Sequence, residues 1–242
     1  MALRIFDTDP DAKPRKRTAR TDYERPVFQF RSGMQVFNKQ KRRNEPVSLP
    51  AWRVLTDDPV VADSIAELLG GTPEEYDPTK AMNLHVLTDA ESVEIVINGA
   101  KAIEDKLILW GQGGPAHECD GEFSLLPDDK GQPCGCPRTM AERKALAKMR
   151  PPKGPAPSIN VTFRLAGLGY DLGPGRQIAT AWSLAEVIHE VKDALDQVEG
   201  EALCKLTLEH VQYTNKDGID VSYRKPVIEV LGSYNDAIGE DR

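Results

Sequence analysis

Leu203-Cys204-Lys205-Leu206-Thr207-Leu208-Glu209-His210-Val211-Gln212-Tyr213, then Thr214-Asn215-Lys216-Asp217-Gly218, then residues 219–231, decide the fold class of this chain. Apolar residues recur at every second position on either side of a turn-forming run that ends in Asp-Gly, the pattern of an antiparallel hairpin. It sets Leu206, Leu208 and Val211 facing Val221, Tyr223, Ile228 and Val230. The alternation changes parity between Tyr223 and Ile228, and Pro226 lies in between. A proline has no N–H to give to a ladder, so it fits an edge position or a bulge. Cys204 shares the alternation of Leu206 and Leu208 and reads as a small packed residue rather than a ligand.

Working outward, the segment before the hairpin predicts a long helix over 183–199. Ser183-Leu184-Ala185-Glu186 is a capping box, and Leu184, Val187, Ile188, Val191, Leu195 and Val198 make an apolar stripe ending at Gly200. Further upstream, Ile159, Val161, Phe163 and Leu165 alternate as in a half-buried strand, and the glycine-rich stretch 167–176 reads as a turn. The proline-rich run 151–157 is a non-helical connector or a hinge. In the first half, Asp57-Asp58-Pro59 opens a short helix whose face carries Val60, Val61, Ile65, Leu68 and Leu69, with Gly70-Gly71 as its exit. Strands follow at 84–88, 93–98 and 106–110, the first two joined by Asp89-Ala90-Glu91, and together they read as a small antiparallel meander. A second capping box, Thr139-Met140-Ala141-Glu142, starts a fairly polar helix. Residues 27–36 hint at one or two extended pieces, followed by an exposed basic loop. The fold class is therefore α+β: mixed, mainly antiparallel sheets, a few packing helices, a cysteine-rich loop and a disordered basic N-terminal arm. The expected regions are a flexible arm at 1–25, an α+β region at 26–150 with the cysteine loop at 117–137, and an α+β region at 158–234 with the long helix and the hairpin 203–231.

The chain has 242 residues, 40% of them hydrophobic and 29% charged, which suits a globular protein with its own core. No run approaches the roughly 18 apolar residues of a membrane span. Asp7, Asp9 and Asp11 interrupt the N-terminus where a secretory signal would need an apolar stretch, so a cytoplasmic, reducing compartment is expected, without structural disulfides. The net charge of −7 is unevenly spread: residues 1–43 hold 12 Lys and Arg against 5 Asp and Glu, so a basic arm precedes an acidic body. Arg15, Lys16 and Arg17, with Lys41, Arg42 and Arg43, could neutralise phosphates in a salt-sensitive way or simply be solvated.

Three of the four cysteines fall within eighteen residues, in His117-Glu118-Cys119-Asp120-Gly121 and Cys134-Gly135-Cys136-Pro137. His117, Cys119, Cys134 and Cys136 form a candidate zinc set of one nitrogen and three sulfur donors. Their close pairs are His-x-Cys and Cys-x-Cys rather than the usual Cys-x-x-Cys, so a tight turn of reduced cysteines is the alternative. The His-x-Glu and Pro-Cys-x-x-Cys of a zinc deaminase are absent. So is a phosphate loop. His85, His189 and His210 are scattered and read as structural, and no catalytic constellation emerges, so an enzyme is not expected. Trp52, Trp110, Trp182 and Tyr170 are the aromatics closest to a binding surface, with core or turn packing the plainer reading.

Taken in order, Leu49-Pro50-Ala51-Trp52-Arg53-Val54, Asp58-Pro59, Leu68-Leu69-Gly70-Gly71, Trp110-Gly111, Cys119-Asp120-Gly121, Gly131-Gln132-Pro133-Cys134-Gly135-Cys136-Pro137 and Phe163-Arg164-Leu165 resemble actinophage recombination directionality factors that act on large serine integrases. The likeness spans about residues 27–232. It implies a phage accessory protein that binds its integrase and switches it from integration to excision of the prophage, while the DNA-cutting serine belongs to the integrase. DNA would be met only indirectly, or weakly through the basic arm. A zinc-containing nucleic-acid-binding protein of phage replication or DNA metabolism is the alternative.

Overall fold

A computed structural model describes residues 26–214, 218 and 220–240. The basic arm expected at 1–25, with Arg15, Lys16 and Arg17, lies outside the described residues, as do positions 215–217 and 219 of the hairpin turn. Eleven strands, β1 Phe28–Asn38, β2 Arg43–Thr56, β3 Pro73–Glu75, β4 Leu84–Leu87, β5 Ser92–Ile97, β6 Ile103–Gly111, β7 Gly114–Cys119, β8 Ala156–Leu165, β9 Gly175–Ala179, β10 Ala202–Thr214 and β11 Asp220–Ser233, join into one sheet. Its path runs β11-β10-β5-β8-β9-β1-β2-β4-β3, with β6 branching from β8 and carrying β7. Only β1–β9 is a parallel pair among the described residues; the rest are antiparallel, as the α+β reading requires. Strand β8 is the hub. It pairs β9 along one side and, along the other, first β6 and then β5 at Leu165 and Arg164. The sheet curls until β10 and β11 return against β2.

Period-two burial builds this sheet. In β8, Ile159, Val161, Phe163 and Leu165 point into the core, and their neighbours do not. Phe28 and Phe30 of β1, Trp52 of β2 and Phe163 meet in one aromatic cluster, with ring centroids 5.4 Å apart for Phe30–Trp52 and for Phe30–Phe163. Gly175 sits opposite Phe28, and a Cβ there would lie 1.9 Å from the ring. Only glycine allows β9 to approach β1 over that ring.

Helix α1, Pro59–Leu69, begins as its sequence predicts: the Asp58 side chain accepts from the Val60 amide, and Pro59 takes the first turn. It buries Val61, Ala62 and Ile65, whereas Val60 and Leu68 point outward, so the apolar face is narrower than the predicted one. Helix α2, Met140–Lys148, starts at Thr139, whose hydroxyl oxygen accepts from the Glu142 amide and whose O–H donates to the Glu142 carboxylate.

Two expectations are corrected, and one strand is added. The single helix over 183–199 is two pieces, α3 Trp182–Ala185 and α4 Ile188–Asp196, and the cap before α3 is Ala181, not Ser183. At the break, Val187 has φ −114° and ψ −4°, and its amide bonds the Leu184 carbonyl three residues back. This tightened turn rotates Val187 out to solvent while Leu184, Ile188, Val191 and Leu195 stay buried. The meander does not form either. Strand β4 pairs β2 and β3, and β5 pairs β10 and β8. Residues 89–91 instead carry the chain from one part of the sheet to another: the Ala90 carbonyl accepts from the Trp52 amide and the Glu91 carbonyl from the Leu208 amide. Finally, β2 is a full strand of 14 residues that the sequence did not announce. Strands on both sides of the 151–157 connector pair with one another, β6 with β8 and β1 with β9.

The deciding hairpin forms in a regular register, with Leu206 opposite Ile228 and Leu208 opposite Pro226. Pro226 lies on β11, at the edge of the sheet, and the register shift falls at Leu203/Cys204 instead. Helix α5, Tyr234–Glu240, closes the described chain, and no helix among the described residues is long and apolar enough to cross a membrane.

Candidate metal centre

Strand β7 places His117 and Cys119 two residues apart, hence on one face of the strand, opposite Leu109 and Leu107 of β6. The chain then turns sharply at Asp120, whose carboxylate accepts from the Glu122 and Phe123 amides at 2.8 and 2.7 Å. Those bonds hold the Asp120 carboxyl below its usual range. Phe123 bridges back to Pro133, and the Cys134 amide donates to the Glu122 carbonyl at 2.8 Å. Gly135, at φ +70°, lets Cys134 and Cys136 both turn inward.

The result is a knot in which the ligand atoms of His117, Cys119, Cys134 and Cys136 lie within 4.8 Å of one another. Cys136 Sγ is 3.3 Å from His117 Nε2 and 3.9 Å from Cys119 Sγ. With a metal–sulfur bond of about 2.3 Å, a tetrahedral site has sulfur atoms about 3.8 Å apart, so the spacing fits an ion at the centre. All four cysteines are free thiols. Burial pushes Cys119 up to about 12 and raises Cys136 as well. Cys134 is also opposed by burial, but the Cys136 amide, the neighbouring thiols and the Arg143 charge together carry it below its ordinary value. Cys119, which is buried, and Cys136 are thus held toward the neutral thiol, whereas half-buried Cys134 is held toward the thiolate. A dication held by His117, Cys119, Cys134 and Cys136 would favour the thiolate at all three sulfurs. Four protein donors leave no open position, which is the pattern of a structural rather than a catalytic site.

Arg143 is the residue that the sequence did not mark. From the first turn of α2 its Nε donates to the Pro137 carbonyl and its Nη2 to the Gly121 carbonyl, both at 2.6 Å. One guanidinium thus ties the two ends of the knot together and to the helix. The signal available was position alone: an arginine four residues after the cap Thr139, just beyond Cys136-Pro137. Lys106 of β6 adds an ion pair with Glu118 at 3.0 Å.

The other candidates are not drawn to the knot. His85 is buried, accepts from Arg53 Nε at 2.9 Å and stacks on Tyr76. His189 is exposed, and His210 meets Ser222 at 2.8 Å across the hairpin. Lys41 and Arg43 both reach Glu45, at 2.9 and 3.1 Å, so two of the four cations at 39–43 are already paired; Arg42 stands at the tip with φ +49°. Trp52 is core and Cys204 is fully buried. Trp182 lies beneath the Lys144 ammonium, while Trp110 and Tyr170 are exposed, the latter under the Arg164 guanidinium.

No solved structure matches this chain. The family model described as Gp3-like, recombination directionality factor-like, matches residues 29–231, from β1 to the far end of β11. That span holds Phe30, Trp52 and Phe163 of the aromatic core, the caps of α1 and the whole knot, and the chain belongs to the Gp3-like, recombination directionality factor-like family.

Proposed function

We propose that this protein is a phage recombination directionality factor that binds a serine integrase and switches it from integration to excision at the prophage junctions. The observation that carries the reading is the family match over residues 29–231. The protein acts in the cytoplasm of the bacterial host by protein contact, not by catalysis, and the integrase supplies the serine that cuts DNA. Zinc, held by His117, Cys119, Cys134 and Cys136, would supply the closed structural centre of the knot.

The switch is differential binding. To take an integrase from 99:1 in favour of one arrangement to 1:99, the factor must bind the other about 10⁴-fold more tightly, about 5.5 kcal/mol. A surface suited to that task is the far end of the β10–β11 hairpin. Beyond Leu208 the hairpin leaves the core, and Val211, Tyr213, Val221 and Tyr223 gather on the face opposite that of Leu206. Tyr213 and Tyr223 are 52% and 39% exposed, unusual for aromatics with no core to join. The rival reading, DNA binding through the basic loop, is weakened by the engagement of Lys41 and Arg43 with Glu45.

Recombination in vitro tests the proposal. With the cognate integrase, adding the protein is expected to promote recombination between the two prophage junctions and to suppress joining of the phage and host sites. Absence of both effects would overturn it.

A further inference from the structure

The face of the sheet turned away from the aromatic core carries a cationic site that neither the knot nor the hairpin uses. Arg31 of β1 and Arg53 of β2 are direct cross-strand partners, so their side chains share that face. Arg53 is 7% exposed, lying beneath, and Arg31 is exposed at the mouth, where two adjoining cavities of about 340 and 330 Å³ meet. Among the described residues, no Asp or Glu lines either cavity. Among the described residues neither arginine has a carboxylate partner: Arg53 bonds the neutral His85 ring and lies 4.3 Å over Tyr76. Burial lowers the Arg53 guanidinium from its ordinary value; the Tyr76 hydroxyl acts the other way, and the Arg31 charge lowers it further. Two like charges side by side, with no carboxylate in direct contact among the described residues and Glu74 reached only through the His85 ring, are a cost that a sheet need not carry.

A second observation points into the same space. Gln29, directly opposite Leu55 and two residues before Arg31, is 4% exposed and lines the second of these cavities, and among the described residues its Nε2 has no hydrogen-bond partner. A buried amide donor without an acceptor costs about 1–3 kcal/mol, and a bound oxyanion would remove that cost. Lys80, which also lines this cavity and whose charge acts on the nearby Asp77 carboxylate, adds a further cation.

We propose that Arg31, Arg53, Gln29 and Lys80 form a phosphate-binding site. Two guanidiniums from paired positions on adjacent strands can hold different oxygens of one tetrahedral oxyanion, which has more acceptor oxygens to share than a carboxylate, and the amide of Gln29 can donate to another. The phosphate belongs either to a free phosphorylated small molecule or to a nucleic-acid backbone.

The test uses the full chain and its Arg31→Gln variant, with Lys148→Gln, remote from the site, as a control. Thermal unfolding is followed in inorganic phosphate, acetate and chloride at matched ionic strength, and binding of a short fluorescent single-stranded oligonucleotide by anisotropy. Phosphate should stabilise the wild type and Lys148→Gln above acetate and chloride, and Arg31→Gln should weaken that response about tenfold. In phosphate-free buffer Arg31→Gln should be at least as stable as wild type, because it removes repulsion. Loss of oligonucleotide binding in Arg31→Gln assigns the phosphate to nucleic acid; loss of the phosphate response alone assigns it to a small molecule. Equal stabilisation by phosphate and chloride, a preference for acetate, an unchanged response in Arg31→Gln, or a destabilised Arg31→Gln in plain buffer would each overturn the proposal.

Discussion

The curled sheet and the cysteine knot of this protein are ordered by opposite means. The sheet buries Phe28, Phe30, Trp52, Ile159 and Phe163 almost completely, and its order follows from removing apolar surface from water. Between Gly111 and Arg150, by contrast, only Cys119 and Ser124 are buried, and α2 buries nothing. That stretch is held by turns, by the Arg143 clamp and by four ligand atoms converging on one point. Some forty residues with so little apolar burial do not offset their ordering entropy by packing alone. The possible metal-binding cluster thus lies in the part of the chain that has no core of its own, where a bound ion would contribute most to order.

The largest effect should come from breaking the contrast at its weaker side. Structural zinc contributes roughly 10–16 kcal/mol of binding free energy in small zinc domains. A chelator, or Cys119→Ser, should abolish metal retention and deprotect amides of residues 114–149 in hydrogen exchange, while β8 and β10 keep their protection. Uniform protection in both regions without metal would remove the distinction. On the other side, Trp52→Ala should cost about 3–5 kcal/mol in global unfolding and leave the metal content per folded molecule unchanged. Arg143→Ala deletes two charge-assisted bonds to Gly121 and Pro137 and should cost about 1.5–3 kcal/mol, felt as faster metal loss rather than as global unfolding. Smaller still is a pH effect in the sheet. Burial, then the nearby Arg53 charge, hold His85 below the ordinary imidazole value. Its unfolded form binds the proton better, so its contribution to stability is present above about pH 6.5 and is lost as pH falls. His85→Gln should flatten the decline in melting temperature over that interval relative to wild type. At the far end of the scale, Tyr213→Ala with Tyr223→Ala should change stability by no more than about 0.5 kcal/mol per site, yet weaken integrase binding.

What the sequence disclosed divides along the same line as the forces. Regular alternation is a local property, so the β10–β11 hairpin, the inward face of β8 and the Asp58–Pro59 start of α1 are legible. Pairing between distant strands is not local. Residues 84–88 and 93–98 look like neighbours, but β4 joins β2 and β5 joins β10, and both Val86 and Ile95 still reach the one core from strands that are not paired with each other. Strand β2 is masked by Pro46 and Pro50, which argue against a strand until β1 is there to pair with it. The break at Val187 escapes a periodicity argument because both helical pieces keep the same buried stripe. In the knot, residue types and spacing reveal the four ligand candidates, and the structure gathers all four. Arg143 closes the knot through two backbone carbonyls, and carbonyl acceptors leave no mark in a sequence.

Binding of the full-length protein to its cognate serine integrase, measured by analytical ultracentrifugation in the absence of DNA, tests the central claim most directly. The account predicts a complex that forms without DNA, survives chelator-free buffers at moderate salt, and is weakened by Tyr213→Ala with Tyr223→Ala. Independent sedimentation of the two proteins, with association appearing only when DNA is added, would contradict it.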